Sequence, residues 1–323
     1  MLDVVDHRII AAFQINPRAG VAEVGRILGE HERSVARRLQ RLLALEIIRF
    51  TAEYDRLRCP LGHTAWLRLR SRSGCPEAVG DALARRAEAL NVAAVSGATG
   101  PLWCELAVPS RPLLHALAEG VPDLPDAEVL DVCLTLRSFK TGAEWYAPVL
   151  TDDEEKLLRA SLVQPLPALA DRYQLTPTDQ RVAGLLRDNA RASLTDLARE
   201  LGFSTATAGR RVASLLERRV LRLRTLVDPA LLGRPARALL RLKVRPAGLE
   251  KVSATLAAHR DVHSCTAVAG PYGLLAEVCL PHETDVYGFL VDVLGPAEDV
   301  LDLDTGIVTR TYTYGPGPDA PRR

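Results

Sequence analysis

Two arginine pairs, Arg37-Arg38 and Arg210-Arg211, stand 173 positions apart in this 323-residue chain. A guanidinium on a solvent-facing helix can do one kind of chemistry well: forked, charge-assisted hydrogen bonding to phosphate oxygens or to the O6 and N7 edge of guanine. In the second stretch the apolar residues Ala208, Val212, Leu215 and Leu216 recur at helical spacing after Ser204. The opposite face then carries Thr205, Ala206, Gly209 and Arg210, with Arg211 on the flank. The bland alternative is a solvated charged face. What favours recognition is that the same offset carries Ile9, Phe13, Val24, Leu28, Gly29, Val35, Leu39 and Leu42 onto the apolar positions and turn glycine of the second stretch. A solvated face has no need to hold its arginines in register through such a repeat, whereas a surface meeting phosphates and base edges does. Candidate DNA contacts are His31, Arg33, Ser34, Arg37 and Arg38 in the first copy, and Ser204, Thr205, Thr207, Arg210 and Arg211 in the second.

These residues need a scaffold, and the local signals supply one. Thr176 is a cap with Pro177 at the first helical position and Asp179 three residues after the cap. Val182, Leu185 and Leu186 continue that first helix. Leu194, Leu197, Ala198 and Leu201 form a second, stopped by Gly202, where a left-handed backbone is tolerated. Ser204 caps the third. Three short helices with a tight turn before the last make a helix-turn-helix, and the chain holds two.

Charge places the binding locally. The net charge is only +1, so any attraction to nucleic acid must come from patches. From Phe203 to Arg224 six arginines face Glu217, and from His31 to Phe50 five face Glu32 and Glu46, which makes the second module the stronger phosphate binder. Six cysteines (59, 75, 104, 133, 265 and 279) lie far apart with no Cys-x-x-Cys spacing, so neither zinc nor a redox pair is expected. His259, His263 and Cys265 are close in sequence but fall where a helix ends and a strand begins. No cofactor or metal is expected. With no leader-like opening and no long apolar run, the expectation is a cytoplasmic protein without a membrane span.

After each helical module comes a matching series. Ile47, Ile48 and Phe50 form an apolar run that reads as a strand leading away from the helices, repeated at Val220, Leu221 and Leu223. Ala65 to Leu69 and Ala238 to Val244 alternate apolar residues with Arg68, Arg70, Arg241 and Lys243, a strand with one wet face. Helices over Pro76–Leu90 and Gly248–His259 follow, then strand, glycine turn and strand over Val92–Pro109 and Val262–Pro281. A third helix (Pro112–Ala118 and Thr284–Val293) and a last strand (Glu128–Leu136 and Asp299–Val308) complete β-α-β-β-α-β twice. The fold class is therefore α+β: two winged-helix-like helix-turn-helix domains, each followed by a βαββαβ ferredoxin-like domain. The boundaries are 1–52 and 60–140 for the first copy, 141–174 for a linker with a helix opened by Thr151 and Glu154 and broken at Gln164 to Pro167, 175–224 and 234–313 for the second copy, and 314–323 for a disordered tail.

The chain resembles the Lrp/AsnC transcriptional regulators. The resemblance rests on Asp179 with Asn189-Ala190-Arg191-Ala192, Leu197-Ala198 before Leu201-Gly202, Ser204 with Thr207 and Arg210-Arg211-Val212, the Asp228 to Gly233 connection, and Gly270-Pro271-Tyr272-Gly273. It implies a non-enzymatic regulator that binds double-stranded DNA, whose ferredoxin-like domains pair through their sheets and take an amino acid or related effector near Gly100, Gly270, Tyr272 and Gly273. It departs at Gly273, where relatives commonly carry an acid, and at Gly100-Pro101-Leu102-Trp103, a shorter turn. Haem-precursor (siroheme) decarboxylases resemble the same architecture, often as fused pairs. Their paired histidines before Glu-Leu-Gly and their Cys-Tyr-x-Arg-Pro motif are absent here. An interaction protein that has lost DNA is a third reading, raised by Glu32 at a helix start. Each ferredoxin-like unit needs one sheet face covered, and the other unit of the same chain is the nearest cover, giving an internal pseudo-dimer. Leu274, Leu275, Val278 and Leu280 suggest apolar surface beyond that pairing, and hence a homo-oligomer.

Overall fold

The structure is a computed structural model and describes residues 2–59, 61–96, 102–162 and 172–315. Gly100, the break at 164–167 and the tail from 316 lie outside those residues. In chain order the first half runs α1 (Val4–Ile15), α2 (Val21–Leu28), α3 (Glu32–Ala44), β1 (Arg49–Tyr54), β2 (His63–Ser71), α4 (Pro76–Ala84), β3 (Ala89–Val95), β4 (Leu102–Val108), α5 (Arg111–Glu119) and β5 (Ala127–Lys140). After α6 (Asp152–Ala160) the second half repeats it: α7 (Pro177–Asp188), α8 (Leu194–Leu201), α9 (Thr205–Glu217), β6 (Leu221–Leu226), β7 (Ala236–Val244), α10 (Leu249–Ala258), β8 (Val262–Ala269), β9 (Leu274–Leu280), α11 (Asp285–Phe289) and β10 (Val300–Tyr314). The repeats do not stay apart. One compact unit joins Met1–Pro60 to Ala143–Leu232, and the other joins Leu61–Gly142 to Gly233–Arg323.

In the helical unit, capping boxes start α1 (Asp3 with Asp6) and α7 (Thr176 with Asp179). Gly29 and Gly202 end α2 and α8 in the left-handed conformation. Glu46 and Arg219, again 173 apart, hold positive φ of 52° as the chain turns out of α3 and α9. It then enters β1 or β6. These strands do not lead away: β1 and β6 pair antiparallel with each other, from Arg49 opposite Leu226 to Tyr54 opposite Leu221. Helix α7 packs on β1, and α1 packs on β6. Thr51 Oγ1 donates to the Arg187 carbonyl at 2.7 Å and Thr225 Oγ1 to the Phe13 carbonyl at 2.6 Å. The linker helix α6 is capped by Thr151 and lies against α1 and α2, where Asn16 Nδ2 donates to Ser161 Oγ.

In the sheet unit, helix α4 ends at Ala84 rather than at Leu90, because Ala89 to Val95 is needed as strand β3 beside β4. The two four-stranded sheets join edge to edge in a closed barrel of order β10-β3-β4-β2-β5-β8-β9-β7. Closure comes from the two long last strands. Strand β5 begins beside β2 and finishes beside β8, while β10 begins beside β7 and finishes beside β3. Each ends on the other half's helix. Tyr312 lies where a Cβ on Gly80 of α4 would stand, so that position has room only for glycine. Phe139 packs in the second half's core at the matching place on β5.

Helix-side cores fill under each sheet, and a third lies between the sheets: Trp66, Ala93, Val95, Trp103, Cys133, Leu239, Val268 and Leu275. On that face Arg68 of β2 and Arg241 of β7 therefore point into the barrel, while Arg70 and Lys243 at the strand ends stay exposed. There the charges are paired. Arg68 holds Asp131 at 2.6 Å, and Arg241 holds Asp304 at the matching positions while also reaching Asp131 at 3.4 Å. A second cluster belongs to one half alone: Arg237 Nε donates to Glu277 at 2.6 Å, His263 faces the other Glu277 oxygen at 3.3 Å, and Tyr314 meets His263. Leu274, Leu275, Val278 and Leu280 are all buried within the chain. The apolar surface they offer is already used by this fold.

Burial works against the charge of Glu277, but Arg237 and His263 hold its pKa down to about 2, from 4.5 in a free side chain. A folded pKa below the unfolded one means that ionised Glu277 stabilises the protein above about pH 4.5, and that this contribution fades as the pH falls toward about 2. Glu277→Gln should cost about 3–5 kcal/mol at neutral pH by leaving Arg237 buried without its anion. It should also flatten the acid limb of a urea-unfolding series run from pH 7 to pH 3. An unchanged acid limb would remove Glu277 as its source.

Candidate nucleic-acid interface

Helix α3 begins at His31, whose Nδ1 accepts the Arg33 N–H at 3.2 Å, and α9 begins at Ser204, whose Oγ accepts the Thr207 N–H at 3.2 Å. Both starts are solvent-exposed. Val35, Leu39 and Leu42, and likewise Ala208, Val212 and Leu215, turn the other face of each helix into its module. On α9, Ser204, Thr207 and Arg210 form a hydrogen-bonded row along the exposed side, with 2.9 Å between the two hydroxyls and 3.4 Å from Arg210 to Thr207. Thr205 is exposed beside them, and on α3 Arg33 and Arg37 are exposed with Ser34 half-buried. Such a surface presents hydroxyl and guanidinium donors at a helix start, the kind of group that meets phosphates and base edges.

Two parts of the expected surface have another role. Arg38 donates to Asp3 at 2.9 and 2.7 Å and to Asp6 at 2.7 Å, and Arg211 reaches Asp179 at 3.5 Å. Asp6 and Asp179 are buried at the starts of α1 and α7. The register of this second arginine in each pair is thus explained by a carboxylate inside the module, where an unpaired charge is costly. Burial opposes the charge of Asp6, while the Asp3 N–H, Arg38 and Arg41 hold its pKa below the usual range. Gly209 is the other correction. It is half-buried, and a Cβ there would stand 3.3 Å from Leu194 Cδ1, so it faces α8 and not the open side.

The residues that set the two modules against each other escaped the sequence reading. Arg18 donates to the carbonyls of Ala190 and Ala192, both at 3.0 Å, and Arg191 donates to those of Pro17 and Ala19 at 2.7 and 2.9 Å. Every partner lies at the 173 offset. Arg191 also sits over the rings of Phe13 and Phe50, 5.0 and 5.1 Å from their centroids. Burial lowers the pKa of both arginines. The signal was present in the repeated Asn-x-Arg-Ala, but a sequence does not say that each arginine bonds the other copy.

In the sheet unit, Tyr272 Oη donates to Asp302 at 3.2 Å and its ring lies 4.4 Å from the Arg241 guanidinium. Gly270 backs onto Cys133, leaving no room for a side chain, while Gly273 meets nothing within 4 Å. His259 caps the turn by accepting the Asp261 N–H, and His263 is engaged with Glu277 and Tyr314. Among the described residues no group of three or more His, Cys, Asp or Glu could hold a metal. No helix among them is long and apolar enough to cross a membrane.

Residues 2–43 and 175–216 match the AsnC-type helix-turn-helix domain, and residues 237–318 match the Lrp/AsnC ligand binding domain. The chain belongs to the Lrp/AsnC family. Two of its relatives match less than half of this chain, about the length of one copy of the repeat. An HTH-type transcriptional regulator of Pyrococcus furiosus is 26% identical over 142 residues, 44% of this chain and 96% of its own length. The regulator Ptr1 of Methanocaldococcus jannaschii is 26% identical over 138 residues, 42% of this chain and 93% of its own. This Lrp/AsnC chain is thus a tandem form. A fold of the whole tandem is seen in the siroheme decarboxylase NirDL, whose structure covers 94% of this chain and 93% of its own at 16% identity and a TM-score of 0.59. At that identity the likeness is one of fold.

Gly209→Ala should leave DNA affinity unchanged, because the new methyl meets Leu194, and the first copy already has Ala36 at the matching position. The helix gain of about 1 kcal/mol is offset in part by the tight contact. A thermal melt and a duplex-binding titration check both halves of this expectation.

Proposed function

We propose that this chain is a sequence-specific DNA-binding transcriptional regulator in which a single polypeptide supplies two unlike helix-turn-helix heads. The observation that carries the proposal is the pair of exposed recognition surfaces, on α3 and α9, built into one body by β1–β6 pairing and the reciprocal arginines. The contacts by position are His31, Arg33, Ser34 and Arg37 on one head and Ser204, Thr205, Thr207 and Arg210 on the other, with Arg38 and Arg211 available only at the expense of their carboxylates. Because Glu32-Arg33 oppose Thr205-Ala206, one chain should prefer two different half-sites. The proposal includes a place in the cytoplasm and further association of chains, with exposed Tyr287 and Val291 as surface for it. An amino-acid-like effector at Gly270, Tyr272 and Gly273 would have to compete with Asp302 and Arg241 for the tyrosine.

The decarboxylase likeness favours a second reading on one observation, the full-length correspondence in fold. Against it stand the missing motifs: neither paired histidines before Glu-Leu-Gly nor Cys-Tyr-x-Arg-Pro occurs in this sequence. Incubation with an iron porphyrin should leave its Soret absorbance unchanged; a shifted band would favour the enzyme.

Arg210→Ala should weaken binding to duplexes selected from a random library by about 1–3 kcal/mol and relax one operator position if it meets a base, or flatten the salt dependence if it meets a phosphate. Arg37→Ala should cost less, since Glu32 begins its helix. Quantitative gel-shift titration decides, and wild-type binding by Arg210→Ala would remove α9 from the interface.

A further inference from the structure

The two copies differ at one capping residue, and the difference reaches the recognition surface. Position 3 is Asp, while the matching position 176 is Thr. Both cap a helix in the same way, accepting the N–H of Asp6 or Asp179. Only the aspartate carries charge. Arg38 Nη1 donates to Asp6 at 2.7 Å and is shared with both Asp3 carboxylate oxygens at 2.9 and 2.7 Å, and the Arg38 side chain is 20% exposed. Thr176 offers Arg211 nothing of the kind. Among the described residues Arg211 pairs with Asp179 alone, at 3.5 Å, and its side chain is 46% exposed. The buried acids are also differently served: Asp6 has Arg41 as a second cation, where the second copy has Ser214 in that place and Tyr173 Oη donating to Asp179 at 3.3 Å.

We propose that Asp3 is a positioning residue that withholds Arg38 from DNA, and that Thr176, by lacking a charge, lets Arg211 turn outward onto a phosphate. The inference rests on the DNA-binding reading above. Arg38 would have to leave two carboxylates, both within 2.9 Å, to reach a phosphate, whereas Arg211 gives up one at 3.5 Å. The inequality of the heads is therefore set by a cap as well as by the residues on the recognition helices.

The test uses the full-length protein and duplexes enriched from a random library by the wild type, with affinity measured against salt concentration. Asp3→Thr should bind more tightly at fixed salt and steepen the slope of log K against log salt by about 0.9, the value for one added phosphate contact. Thr176→Asp should make the slope shallower by the same amount. Asp3 also carries its own charge, so Asp3→Thr is repeated with Arg38→Ala; no steepening should remain. A slope unchanged by Asp3→Thr, or a steepening that persists without Arg38, overturns the proposal. Threonine and aspartate are comparable caps, and Asp3→Asn serves as a second variant if the first folds poorly. If the wild type enriches no duplex, the regulator reading fails and this one with it. If it does and the variants do not change the slope, only the positioning role fails.

Discussion

A βαββαβ sheet buries one face under its own helices and leaves another face and two edges to be satisfied, and in this chain strands of the other copy satisfy them. Strands β5 and β10 answer that constraint by running on past their own sheets to become edges of the opposite ones. Once they do, Arg68 on β2 and Arg237 and Arg241 on β7 are enclosed, and each buried guanidinium must find a carboxylate. Arg68 with Asp131, Arg241 with Asp304 and Arg237 with Glu277 follow from that enclosure. The helical unit solves the same problem with β1 and β6. A lone strand from either module would have both edges open, and their pairing closes one edge of each.

Much of this was legible in the residues. The caps at Thr176 and Thr151, the stop at Gly202 and the order of elements in both halves are local signals, and they appear where the spacing puts them. What was not legible depends on distant partners. Alternation in Ala238–Val244 shows that one face differs from the other, but it cannot show that the arginine face is enclosed by a second sheet. Strand β1 gives no sign that its partner lies more than 160 residues away. Helix α4 was read too long because Ala87 to Leu90 suits a helix until β4 demands a neighbour.

The interface shows the same division. Exposed Arg37 and Arg210 follow from helical periodicity alone. For Arg38 and Arg211 the register shows in the sequence but the acids that hold them do not, because those acids are a helix away in space and more than 30 residues away in sequence. Gly209 was placed on the open side by a wheel that treats a helix as isolated. Leu194 of the neighbouring helix decides its role.

The length of the last strands also bears on how the molecule is made. The second half of β5 waits for β8, and β3 waits for a segment over 200 residues downstream. A nascent first half therefore leaves the ribosome with open strand edges, and contacts this remote in sequence slow folding and invite association before it is complete. During synthesis, two neighbouring chains could each complete the other's barrel with equivalent strands. The tether through α6 gives the chain's own second half the advantage in that race, so the duplication serves as a device for folding.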